Sequence, residues 1–124
     1  MDFKDKEAIY MQIASYVSDS ISLGKWFPEQ KAPSVREIAA TLQVNPNTVM
    51  RAYEYLQNQG ILFNKRGLGV FVAVDALAKI KNIRKKRFME RELPEFFTSL
   101  FILNISLKDV DDQYQIYLEA KLHR

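Results

Sequence analysis

Asn47 and Arg51 stand four residues apart, with Thr48 beside them and Asn58 further along the same stretch. On a helix this spacing stacks the Asn47 and Arg51 side chains one turn above the other. A guanidinium offers two parallel donors to the O6 and N7 of guanine, and a carboxamide matches the N6 and N7 of adenine. Residues of these types at this spacing suit the base edges in the major groove of duplex DNA. Lys65-Arg66-Gly67 places positive charge beside a glycine, which lets backbone approach phosphates or a minor groove closely. Each feature taken alone also reads more plainly, the first as a solvated helix face and the second as an ordinary turn. Their order and spacing along the chain are what join them.

Other chemistries find no support. The 124 residues include no cysteine and a single histidine, His123, which removes disulfides, thiolate metal sites and cysteine nucleophiles. No nucleophile–base pair or glycine-rich phosphate loop is present, so no enzyme activity, metal or cofactor is expected. The net charge is only +3, so a nucleic-acid role must rest on where charges sit and not on their sum. The N-terminal residues are polar and mixed in charge, unlike a secretory signal. The longest apolar stretch, 97–107, is interrupted by Thr98, Ser99, Asn104 and Ser106 and falls short of the roughly 20 residues of a membrane span. A soluble, cytoplasmic protein with no membrane partner is expected.

The elements that must position Asn47 and Arg51 follow from local signals. Ile9, Ile13, Tyr16, Val17 and Ile21 recur at helical spacing and predict a helix over 7–23, which Gly24 stops. Trp26, Phe27, Pro28 and Pro33 make regular structure unexpected in the loop that follows. Ser34-Val35-Arg36-Glu37 has the form of a capping box, opening a short helix over 35–42. Asn45 is a good N-cap and Pro46 suits the first helical position, so a third helix runs over 46–59 with Val49, Ala52, Tyr53 and Leu56 inward. Segments 61–64 and 70–74 are apolar and flank the basic tip, a hairpin signal. Two helices joined by a tight turn and followed by a two-stranded ribbon give the order of a winged helix-turn-helix. The second of the pair, 46–59, would be the recognition helix. Its cap Asn45 and the nearby Thr48 are placed to hold phosphates at a helix N-terminus, and Arg36 to reach a phosphate or groove edge.

These residues carry a specific resemblance. Ile9-Tyr10-x-Gln12-Ile13, Pro33-Ser34-Val35-Arg36-Glu37-Ile38-Ala39, Val44-Asn45-Pro46-Asn47-Thr48-Val49-x-Arg51-Ala52-Tyr53 and Arg66-Gly67-x-Gly69-Val70-Phe71-Val72 closely resemble the GntR family of bacterial regulators. The resemblance covers about residues 9–73. It implies that Ser34, Arg36, Thr48 and Gly67 lie at the DNA. Many members have arginine where this chain has Pro46 and Met50, so base reading is expected to shift toward Asn47 and Arg51. Ala32 stands where the family usually has leucine.

After the hairpin the chain turns helical again, over Ala76 to Phe88, Leu93 to Asn104 and Val110 to Lys121. The length resembles that of the short YtrA-like branch, whose tail is a small helical dimerisation module, and is too small to enclose an effector pocket within one subunit. Leu93, Phe96, Phe97, Leu100, Phe101, Leu103 and Ile105 put apolar groups nearly all round one helix, which three short helices cannot bury. Burial against a second copy is expected, with Phe96, Phe97, Leu100, Phe101 and Leu103 at the interface; packing against the chain's own N-terminal domain is the alternative. Lys79, Lys81, Arg84, Lys85, Lys86 and Arg87 read as a solvated helix face, with contact to flanking phosphates the other reading.

The expected fold is therefore mainly α with a small β-hairpin: a winged helix-turn-helix over 1–75 and a helical dimerisation module over 76–124. The expected function is a dimeric, sequence-specific regulator, most simply a repressor, on duplex DNA. A winged-helix module that binds protein instead would show acidic or apolar groups on the outer face of 46–59. A small-molecule effector is left unassigned by the sequence.

Overall fold

The apolar residues Ile13, Ala14, Val17 and Ile21 line one side of helix α1 (Ile9–Ser22) and are all buried. They meet Val49, Ala52, Tyr53 and Leu56 from α3 (Pro46–Asn58), with Ile38 and Ala39 of α2 (Val35–Leu42) closing the third side. A computed structural model describes residues 8–123, so the expected start of the first helix at Glu7 lies outside the described residues. Tyr16, expected on the inward face of α1, is exposed; the smaller Ala14, Ser18 and Ser20 take the buried positions.

Local chemistry sets the ends of the helices. Gly24, at φ +76°, terminates α1, and its amide donates to the Ile21 carbonyl at 3.1 Å. At the start of α2 both arms of the capping box form. The Glu37 amide donates to Ser34 Oγ at 3.1 Å, and the Ser34 amide donates to Glu37 Oε1 at 3.2 Å. Gln43 ends α2 in the left-handed region at φ 55°, a conformation costing a non-glycine residue of order 1 kcal/mol. Asn45 then caps α3 by accepting the Asn47 amide at 2.8 Å, with Pro46 at the first helical position. Tyr53 ties the pair together: its phenol donates to the Pro33 carbonyl at 2.6 Å. Burial, with the Glu37 carboxylate adding to it, pushes that phenol well above its ordinary range, so it stays a donor.

Beyond Gly60 the chain forms an antiparallel hairpin of β1 (Leu62–Lys65) and β2 (Gly69–Val72), in register Leu62↔Val72, Phe63↔Phe71, Asn64↔Val70 and Lys65↔Gly69. Gly67 at φ +78° and Gly69 at φ +115° turn the tip. The loop before α2 is more ordered than its prolines suggest, because it pairs along the free edge of β2. The Glu29 amide donates to the Val72 carbonyl at 2.7 Å, Val72 to Gln30 at 2.9 Å and Ala32 to Val70 at 2.8 Å, with Lys31 opposite Phe71. An unpaired strand edge is a row of open donors and acceptors, and this segment fills it.

Helix α4 (Ala76–Arg87) begins just past the hairpin and packs back on the first helices. Ala76 and Ile80 are buried in the same core, and Lys79 reaches back to the Gly60 carbonyl at 3.3 Å and to Asp75 at 3.2 Å. The first compact unit therefore extends to Ile83, and the second comprises Arg84 onward. This second unit holds the end of α4, a π-helical turn (Phe88–Glu92), α5 (Leu93–Leu103) and α6 (Leu107–Leu122). Asn104 caps α5 at φ 56°, and Ser106 caps α6 by accepting the Asp109 amide at 3.1 Å. None of the described residues of the second unit is buried. No helix among the described residues is long and apolar enough to cross a membrane.

Candidate nucleic-acid interface

With Val49, Ala52, Tyr53 and Leu56 packed into the core, α3 turns Asn47, Met50, Arg51, Glu54 and Asn58 outward. Hydrophobic packing on one side thus fixes which polar groups the other side presents. Asn47, Thr48 and Arg51 line one shallow concavity, whose opposite wall is the start of α1: Ala8, Ile9 and Tyr10. The Arg51 guanidinium lies over the Tyr10 ring, 4.0 Å from its centroid. A cation at that distance is attracted by the face of the ring, by roughly 0.5–1 kcal/mol at an exposed site. The ring restricts the long arginine chain while leaving its in-plane N–H groups available, since stacking engages only the face.

The caps combine two tasks. Ser34 Oγ accepts the Glu37 amide, which leaves its hydroxyl proton to donate outward. Asn45 Oδ1 is occupied by the Asn47 amide, and its NH2 group keeps two donors. Both residues are exposed, as is Arg36 in the first turn of α2. Ser34, Arg36 and Asn45 lie outside the concavity that holds Asn47, Thr48 and Arg51.

The hairpin cations gather separately. Arg66 and Gly67 are exposed at the tip, whereas Lys65 folds across the ribbon with its Nζ 4.3 Å from the Phe71 centroid and 5.6 Å from Phe63. Those two rings stack at 5.9 Å, forming an apolar shelf under the lysine stem. Lys31 joins them: a Cβ placed on Gly69 would stand only 2.9 Å from Lys31 Cε. The glycine thus makes room for a second lysine on the ribbon. Lys31 and Tyr10 are the positions that spacing alone misses. Lys31 sits in a proline-bracketed loop without periodicity, and Tyr10, although part of the stretch that resembles the GntR family, carries no spacing that pairs it with Arg51. Among the described residues no cluster of three or more His, Cys, Asp or Glu side chains is assembled.

The family model for bacterial regulatory proteins of the gntR family matches residues 9–72. The chain is 30% identical over 118 residues to the HTH-type transcriptional regulator YhcF of Bacillus subtilis, covering 95% of this chain and 96% of that protein. It is 37% identical over 76 residues to the HTH-type transcriptional repressor YtrA of the same organism, covering 61% of this chain and 58% of that one. Among solved structures it is similar to a GntR-family protein from Bacteroides thetaiotaomicron, with a TM-score of 0.82 and 45% identity over 92% of this chain and 99% of that chain.

Proposed function

This chain belongs to the GntR family of bacterial regulatory proteins, and from that premise we propose that it is a sequence-specific DNA-binding repressor acting as a homodimer on a two-fold related operator. The observation that carries the reading is the outer face of α3, where Asn47 and Arg51 stand one turn apart with Arg51 braced on Tyr10. The helix enters the major groove, and these two side chains read base edges. Ser34, Arg36, Asn45 and Thr48 hold phosphates beside it, and Lys65, Arg66 and Gly67 contact the neighbouring backbone or minor groove. Repression is the sign that the likeness to YtrA supports. The protein works in the cytoplasm, with duplex DNA as its partner, and carries out no reaction.

The tail supplies the second copy. Phe101 is 88% exposed, Ile102 71% and Leu103 65%, and Phe96 and Phe97 are exposed beside them. Aromatic side chains contribute roughly 150–250 Å² each when covered, and apolar surface grouped in this way marks an interaction site. A two-fold pairing of tails through Phe96, Phe97, Leu100, Phe101 and Leu103 removes it from water. Residues 1–75, continued through Ile83 by α4, form the DNA-binding head, and the remainder of 76–124 is the dimerisation module.

Selection of bound sequences from random duplexes tests the reading. The expected result is an inverted repeat whose half-sites are centred about one helical turn apart, or a little more. Recovery of no sequence preference overturns it in favour of a winged-helix module that binds protein.

A further inference from the structure

One apolar side chain stands on the outer face of α3, and the core does not account for it. Val49, Ala52 and Leu56 are 0%, 0% and 1% exposed, whereas Met50 is 48% exposed. Met50 follows Asn47 by three residues and precedes Glu54 by four, so the three share a stripe along the helix. Arg51 lies about 100° further round the axis, and its guanidinium is held at the Tyr10 ring. The arginine is thereby drawn toward α1, and Met50 remains beside Asn47 on the outward face. A methionine left in water there gives up the free energy that covering its thioether and methyl groups would return. On the base edges of the major groove the apolar group is the C5 methyl of thymine. A flexible, polarizable thioether packs on such a methyl without demanding a single geometry.

Resting on the DNA-binding reading above, we infer that Met50 is a specificity-determining residue that packs against the C5 methyl of a thymine in each half-site, next to the position read by Asn47. The contact adds a preference for thymine that neither Asn47 nor Arg51 supplies, because both of those act through hydrogen bonds.

The test uses the full chain and its selected operator, with each thymine of the half-site replaced in turn by uracil, a change that removes the methyl alone. At one position per half-site, uracil weakens wild-type binding about fourfold, the equivalent of one buried methylene-sized group. Met50→Ala binds the thymine and uracil duplexes alike at that position, and Met50→Leu keeps most of the discrimination. A wild-type chain indifferent to uracil at every position overturns the inference and leaves the DNA-binding reading intact, as does a Met50→Ala variant that still discriminates. A wild-type chain that selects no duplex overturns both. The uracil scan needs only the wild-type protein, so the outcome does not depend on the folding of a variant.

Discussion

The two units of this chain use apolar residues in opposite ways. In residues 8–83, Val17, Val49, Ala52, Val72 and Ala76 are wholly covered, and the exposed surface of α3 is left to Asn47, Met50, Arg51 and Glu54. In residues 84–123 no described residue is covered, although α5 reads Leu-Pro-Glu-Phe-Phe-Thr-Ser-Leu-Phe-Ile-Leu. The first unit has a closed core because α1, α2, α3, the start of α4 and the hairpin surround one volume. Two helices after a π-helical turn enclose no volume of their own, so the apolar groups of α5 stay at the surface.

Removing the second unit probes this contrast most strongly. A chain ending at Ile83 keeps Ala76 and Ile80 in the core, and the expected outcome is a folded monomer. It binds the full operator about 100-fold more weakly than the intact chain, because the second head no longer arrives as part of the same molecule. Sedimentation of both chains, with operator titration, checks this. A shortened chain that still dimerises, or an intact chain that stays monomeric well above micromolar concentration, breaks the comparison.

Arg51→Ala probes whether specificity belongs to the first unit alone. Its expected cost is about 1–3 kcal/mol on the selected operator, with preference relaxed at one position per half-site. The tail change Phe101→Ser weakens operator binding without altering which bases are preferred. Competition against single-base operator variants separates the two. Equal loss on every sequence for Arg51→Ala assigns the residue to a phosphate instead. The smallest effect is expected at the hairpin. Lys65→Ala combined with Arg66→Ala lowers affinity for all sequences and reduces the salt slope by about one to two ion equivalents. An unchanged slope in a salt titration places the hairpin clear of the duplex.

Contacts within a few residues of each other were legible without the structure. Ser34 and Glu37 are three apart, Asn45 and Asn47 two apart, and the chemistry of their side chains specifies the caps wherever the helices end up. The inward set Val49, Ala52, Tyr53 and Leu56 was equally legible, because helical periodicity sorts residues into faces before any partner is known. Periodicity says which residues face out, and so it found Asn47 and Arg51. It assigns an outward residue no neighbour, and so it did not find Tyr10.

By itself, then, the sequence determined the capped helices, the glycine turns, the outward placement of Asn47 and Arg51 on α3 and the apolar run of α5. Only the tertiary structure decided the rest. It brought Arg51 onto Tyr10, set Lys31 against Gly69 along the edge of β2, and carried the first unit on to Ile83 through Ala76 and Ile80. The physical reason is range. Arg51 and Tyr10 are far apart in the chain, as are Lys31 and Phe71, and such pairs meet only because the common core of Val17, Val49, Leu56 and Val72 brings their elements together.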